Sequence, residues 1–312
     1  MGVRYAWRMQ SSSHFSAPDI PVGVSATTWT VRDVMALMES WYPAATAQSW
    51  DRVGLIVGDP DAPVRSILLA LDPTAAIADQ AVAGPHGDGN PYDMVITHHP
   101  LLLRGASFLP VTDPKGSVVT TLIRSGIALF NAHTNADVAC DGVATALADL
   151  IGLRDTVPLE PCGTDTEGRE IGLGRVGTVA ETTLGAFADH VASVLPAGPS
   201  GLFVGGDEAM PVRRVAVLGG AGDSALEDAR AAGVDVYLTA DLRHHPASEH
   251  LEGGAPALLC GSHWATESPW LPVLARKLRE AASGADVELR VEVSTIVTEP
   301  WTSHRVTQGE LA

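Results

Sequence analysis

A short apolar run, Met94 to Ile96, stops abruptly at Thr97-His98-His99-Pro100, and the same design returns later in the chain. There Val234-Asp-Val-Tyr-Leu238 runs into Thr239-Ala240-Asp241. Short apolar runs bounded by turn signals read as buried strands. Proline ends such a strand by fixing φ and removing a donor. In each half a further strand follows. Ile127 to Phe130 leads into a loop with His133 and Asp137, and Ala257 to Leu259 leads into one with His263 and Glu267. Open α/β sheets place their ligand sites beyond the C-terminal ends of strands. The recurrence implies a duplication, with two repeat-related α/β lobes presenting their strand ends to a shared cleft.

The rest of the chain fits this frame. Trp29 to Tyr42 carries apolar residues at helical spacing (Val31, Val34, Met35, Leu37, Met38, Trp41) and stops at Pro43, an amphipathic helix that opens the folded part. Ser49 to Pro60 is a loop entering a short strand, with Asp51 either an ordinary loop aspartate or a residue behind the site. Ser66 to Leu71 is a buried strand and Ala75 to Ala83 a helix, followed by a Gly/Pro-rich loop and the His98-His99 strand. Strand–helix–strand order argues for a parallel pair with a right-handed crossover. Helices are expected over Val118–Arg124 and Gly142–Leu150.

Leu153 to Pro211 is less regular, with a glycine-punctuated strand from Ile171 to Val179 and a helix from Leu184 to Leu195. Gly172-x-Gly174-x-x-Gly177 matches the dinucleotide fingerprint letter for letter. Val176 and Val179 continue a strand where that fingerprint needs a helix, so the match is spurious. Val215 to Leu218 is a strand, Gly219 to Gly222 a tight turn, and Ser224 to Ala232 a helix. A segment with His244, His245 and His250 follows, then a helix from Pro269 to Glu280 and a half-exposed strand from Val287 to Val297.

Composition excludes several classes. A net charge of -17 argues against a general nucleic-acid binder, which needs a basic face for phosphates. Lys115 and Lys277 are the only lysines. No run of about 18 uncharged apolar residues is present, so no membrane span is expected. Residues 1–28 are rich in Ser and Pro and lack the apolar segment of a secretion signal, and read as a disordered extension or an over-long gene start. Three cysteines (Cys140, Cys162, Cys260), without a CxxC, favour a reducing cytoplasm.

Four strand ends thus supply His98/His99, His133/Asp137, Asp241/His245 and His263/Glu267. An HH pair in a solvated turn is the plainer reading of His98-His99 alone, and the repeat-related company of the others is what favours metal. Without clustered cysteines, a structural zinc knot is excluded and a catalytic-type N/O site is left. Six or more donors are too many for one ion, whereas two ions about 3.5–4 Å apart sharing a bridging group would use them. Glu267, four residues after His263, meets the same ions if a helix begins there. Imidazole and carboxylate suit Zn, Fe, Mn, Ni and Co alike.

Five motifs carry a resemblance: Trp50-Asp-Arg-Val-Gly-Leu, Thr97-His-His-Pro-Leu, Ala132-His-Thr-Asn-x-Asp137, Tyr237-Leu-Thr-Ala-Asp241 and Ser262-His-x-x-x-Glu267. In this order, from Trp29 to about Val297, they resemble the motif series of the NIF-three-like family, whose members are commonly labelled GTP cyclohydrolase 1 type 2 homologues. The resemblance implies an intertwined two-lobe α/β fold with mixed sheets, a dinuclear metal centre and a toroidal homohexamer. It also implies His98, His99, Asp137, His263 and Glu267 as metal ligands, with His133 and His245 near the metals. Arg52 stands where the family usually has Asn, Ala144 where it often has Asn, Ala240-Asp241 for Gly-Glu, and Ser262 for Gly. None of these departures removes a ligand, but each touches the pocket wall.

The expected protein is cytoplasmic, with residues 29–152 as a first lobe and 153–312 as a second lobe with its connecting segment. It binds two divalent ions and hydrolyses a small polar molecule, with His133 or His245 moving protons. A non-enzymatic metal-binding or regulatory oligomer is the rival reading, and ligands closed on all sides would favour it.

Overall fold

The structure, a computed structural model, describes residues 28–307 apart from Asp88, so the expected extension over residues 1–28 lies outside the described residues except for Thr28. The first half runs β1 (Trp29–Thr30), α1 (Val31–Trp41), β2 (Gly54–Val57), β3 (Pro63–Val64), β4 (Ser66–Ala70) and α2 (Ala75–Ala83). It continues with β5 (Met94–Thr97), α3 (Pro114–Arg124), β6 (Ala128–Asn131), α4 (Thr134–Val138) and α5 (Val143–Leu150). Local chemistry sets several boundaries. Thr30 and Asp33 close a capping box on α1, and the Asp113 side chain caps α3 just before Pro114.

A long hairpin, β7 (Arg154–Thr164) with β8 (Glu170–Thr183), leads through α6 (Leu184–Val194) into the second half. That half comprises β9 (Phe203–Gly205), β10 (Pro211–Ala221), α7 (Leu226–Ala231), β11 (Val236–Ala240), α8 (His244–Glu252) and β12 (Ala257–Gly261). It ends with α9 (His263–Glu267), α10 (Trp270–Gly284) and β13 (Arg290–Val293).

Two mixed sheets result, with strand orders β13-β4-β5-β6-β2 and β7-β8-β10-β11-β12-β9. Within them β4-β5-β6-β2 and β10-β11-β12-β9 are the same pattern: three parallel strands, then an antiparallel edge strand that precedes them in the chain. The duplication read from the strand ends is therefore present in the topology. β5 and β11 occupy equivalent central places, as do β6 and β12.

The halves are intertwined. The apolar face of α10 (Trp270, Leu271, Leu274, Leu278) packs with Val34, Met38 and Ile67 in the core under the five-stranded sheet, and β13 extends that sheet beside β4. In return Leu147 and Ala148 of α5 join the core of the six-stranded sheet with Val215 and Leu238. Each sheet has a second core on its opposite face. Both faces are covered, which is why the central strands read as continuous apolar runs.

One sequence reading is corrected here. Gly219 to Gly222 is not a tight turn, because β10 continues to Ala221 through an irregularity in its register with β11 between Val217 and Ala221. Gly172 to Gly177 lies wholly within β8, as the continuing valines required.

Candidate metal centre

The two halves bring their equivalent strand ends together. His98 and His99 leave the end of β5, His133 caps the short α4 beyond β6 and Asp137 lies in its last turn, and His263 and Glu267 are the first and last residues of α9 beyond β12. Glu267 is 4% exposed and His98 fully buried. Nε2 of His99 lies 3.2 Å from Nε2 of His263, across the join between the halves. The Glu267 carboxylate sits between them, Oε2 at 3.0 Å from His99 Nε2 and Oε1 at 3.1 Å from His263 Nε2. His98 Nε2 stands 3.7 Å from Glu267 Oε1 and 3.6 Å from Asp137 Oδ1.

Each of the four imidazoles is fixed from behind through Nδ1. His98 is held at 2.9 Å by the carbonyl of Ala132, and His99 at 2.7 Å by Asp72. His133 is held at 3.0 Å by Asp51, and His263 at 2.7 Å by Asp241. An Nδ1–H donated to each of these oxygens leaves Nε2 as a bare lone pair, and all four then turn toward one region. This is how metal-binding histidines are oriented. Lone pairs of His99 and His263 facing each other at 3.2 Å need a proton or a cation between them.

Two further facts fit a metal. His98 Nε2 is buried without a hydrogen-bond partner among the described residues, although buried polar groups are almost always paired. Donor atoms of His98, His99 and His133, and again of His99, His263 and Glu267, lie within 4.8 Å of one another. The two donor groups overlap in His99. The residues present therefore fit a bound metal, with the two Glu267 oxygens facing His99 and His263.

The electrostatics of the metal-free chain follow from this crowding. Burial opposes a charge on His99, but Glu267 and Asp72 outweigh it and lift the imidazole to about 10. His263 is raised to about 9 against burial, by Glu267 and Asp241. Burial and the neighbouring His98 push His133 down to about 4, in spite of Asp51. Burial raises the Asp137 carboxyl to about 7 against the pull of His98. Glu267 is held well below the usual carboxylate range, its burial outweighed by His98 and His99.

Two cavities open onto the cluster, and His133 and His263 line both. One, of about 420 Å³, runs past His99 between Trp264 and the C-terminal segment Thr298–Trp301. The other, of about 480 Å³, reaches Asp137 and Glu267 past Trp50, Glu160 and Ser224. The Trp50 ring stands edge-on to His133 at 5.9 Å.

All five ligands expected from the resemblance, and His133, are thus brought together. His245 is not. It is exposed on α8, its ring against His244 at 5.2 Å, and it lines neither cavity. Sequence reasoning missed Asp72, whose Asp-Pro-Thr setting resembles a helix start, and Gly220. At Gly220 φ is +72°, and a Cβ would fall 2.1 Å from Glu267 Oε1. A glycine beside a residue already marked as a ligand, on a strand facing it, was the available signal.

The family described as Duf34/NIF3 (NGG1p interacting factor 3) matches residues 29–300. The chain belongs to this family. A protein of Streptomyces coelicolor named "GTP cyclohydrolase 1 type 2 homolog" is 46% identical over 87% of this chain and 93% of its own length. A Mycobacterium leprae protein of the same name is 33% identical, covering 86% of this chain and 94% of its own. Among solved structures, a Bacillus cereus protein related to NIF3 superposes with a TM-score of 0.80 at 24% identity, over 88% of this chain and 99% of that one. A hypothetical protein of Staphylococcus aureus gives 0.79 at 28% identity over the same shares. As a Duf34/NIF3 member the chain has the mixed α/β fold of these relatives, and no helix among its described residues is long and apolar enough to cross a membrane.

Proposed function

We propose that this Duf34/NIF3 chain is a metal-dependent hydrolase that holds two divalent ions and acts on a small polar molecule. The observation that carries the reading is the set of four imidazoles, each anchored through Nδ1 and converging through Nε2 on the buried Glu267. His98, His99, Asp137, His263 and Glu267 would hold the ions, and bound divalent metal supplies activated water and polarisation of the scissile bond. Open cavities of about 420 and 480 Å³ beside the donors favour catalysis over a closed structural site.

The chain's own residues divide the remaining work. His133, kept neutral at neutral pH and oriented by Asp51, lines both cavities and can take up a proton there. Asp72 and Asp241 hold His99 and His263 in one tautomer. His245, exposed on α8, keeps a proton-transfer role only if a substrate reaches that helix. The relatives' names make a GTP-type ring hydrolysis the labelled activity.

A homohexameric ring in the cytoplasm completes the proposal. Its support is the family resemblance and the exposed apolar residues after β5, Phe108 at 86% and Val111 at 57%. Light scattering that returns a monomer mass at micromolar concentration would reject it. Elemental analysis of purified protein, followed by a hydrolysis screen with and without chelator, tests the rest. About two equivalents of divalent metal and chelator-sensitive turnover are expected. Protein without metal, or turnover indifferent to chelator, would overturn the reading.

A further inference from the structure

The walls around the donor cluster are one-sided in charge. Among the described residues lining the two cavities there is no lysine or arginine. The cavity of about 420 Å³ instead carries Asp72, Asp241 and Glu299, with the indoles of Trp264 and Trp301 beside them. Together with Asp137 and Glu267 these make five carboxylates, against the four positive charges two divalent ions would supply. Glu160 adds a further carboxylate in the other cavity. Phosphate recognition relies on arginine, lysine or metal-ion clamps. Beyond the proposed metals themselves neither wall offers one, and the carboxylates outnumber the charges of two divalent ions.

Glu299 stands out within this group. Asp72 and Asp241 are already engaged with His99 and His263. Oε2 of Glu299 is buried with no hydrogen-bond partner among the described residues. Its place is fixed by its neighbour, because the Thr298 hydroxyl donates to Asp72, the residue that anchors His99. Glu299 thereby lines the same cavity as His99 and His263, and burial of its oxygen without a donor is costly. Trp301, 67% exposed at the mouth, adds an aromatic face of the kind that binds organic cations.

Building on the hydrolase reading, we infer that this cavity takes a small molecule with a positively charged nitrogen, an amidinium or ammonium group. Glu299 and the two indoles recognise that group, and the cavity disfavours phosphorylated substrates. Glu299 acts as a specificity-determining residue and is no part of the metal set.

The test uses the full chain as purified and three probes in equilibrium dialysis: 4-aminobenzamidine, its anionic counterpart 4-aminobenzoate, and GTP. Metal content is measured on each sample. The amidine is expected to bind about tenfold or more tighter than either anion. Glu299→Gln should reduce that preference about tenfold and Trp301→Ala about fivefold, with wild-type metal content in both. Equal or tighter binding of 4-aminobenzoate or GTP would overturn the inference. So would no binding of the amidine, or an unchanged preference in Glu299→Gln. Metal-free protein that still prefers the amidine would sink the hydrolase reading and leave the cation site standing.

Discussion

His99 and His263 show what a single side chain can and cannot say in advance. Each lies beside a strand end, yet what makes them a pair is the carboxylate behind each, Asp72 and Asp241, and the 3.2 Å between their Nε2 atoms. Removing such a carboxylate typically costs about 10- to 100-fold in metal affinity. Asp72→Ala and Asp241→Ala should each fall in that range by competition with a fluorescent chelator, and an unchanged affinity would show the anchors to be incidental. Glu267→Gln should deplete both ions together, because the amide nitrogen cannot ligate a cation. Two full equivalents of metal in that variant would exclude a bridging role. His245→Ala, on the exposed face of α8, should keep its metal. Protons compete with metal at the same nitrogens. His99 at about 10 and His263 at about 9 lie above the ordinary 6.5. The metal-free chain therefore has stability that is complete below pH 6.5 and lost as pH rises through 9 to 10. Metal affinity runs the other way, rising from pH 7 to 9 as the competing protons leave. Titration calorimetry in buffers of different ionisation enthalpy should show about two protons released at pH 7.5. Affinity flat across that range would mean that neither imidazole ligates.

At the scale of elements, the strands that point into the site were legible because burial on both faces leaves an unmistakable apolar run. Their partners were less so. β7 was missed because most of its residues are exposed, so no apolar alternation marks it and only its pairing with β8 makes it a strand. α4 and α9 are five residues each, too short for a periodic signal. Yet α9 sets the i, i+4 geometry that the His263–Glu267 spacing implied. Gly219 and Gly220 were read as a turn because glycine usually punctuates. Here they let β10 pass under Glu267, with the Gly220 N–H bound to Thr266 Oγ1 at 3.0 Å. Gly220→Ala places a methyl group against Glu267 Oε1 and strains a backbone at φ +72°. It should lower metal content at both positions while α9 stays helical. Normal metal content would mean that Glu267 can retreat without losing its ligands. Asp72 and the C-terminal segment were illegible for a different reason. Their roles arise from Asp72 meeting His99 and Thr298 in space, 27 and 226 residues away in the chain.

For the whole molecule, a metal held by these donors would staple two sheets that already trade helices. α10 fills the core of the five-stranded sheet and α5 that of the six-stranded one, so neither half can lose its fold without opening the other. Donors from both halves meet at one point, so a metal held there would bind the folded chain and not the unfolded one. Such a ligand stabilises by mass action, about 4 kcal/mol when free metal exceeds its Kd a thousandfold. For a chain of this size that corresponds to roughly 10 °C in Tm. Calorimetry with chelator should therefore show a single transition lowered by about that amount and restored by added metal, because the exchanged helices keep the halves cooperative without the staple. Glu267→Gln should sit at the chelated value and respond to neither treatment. Two separate transitions after chelation would show that metal, and not the exchange of α5 and α10, couples the halves. A Tm indifferent to chelator would show that the donors do not close on metal in the folded chain.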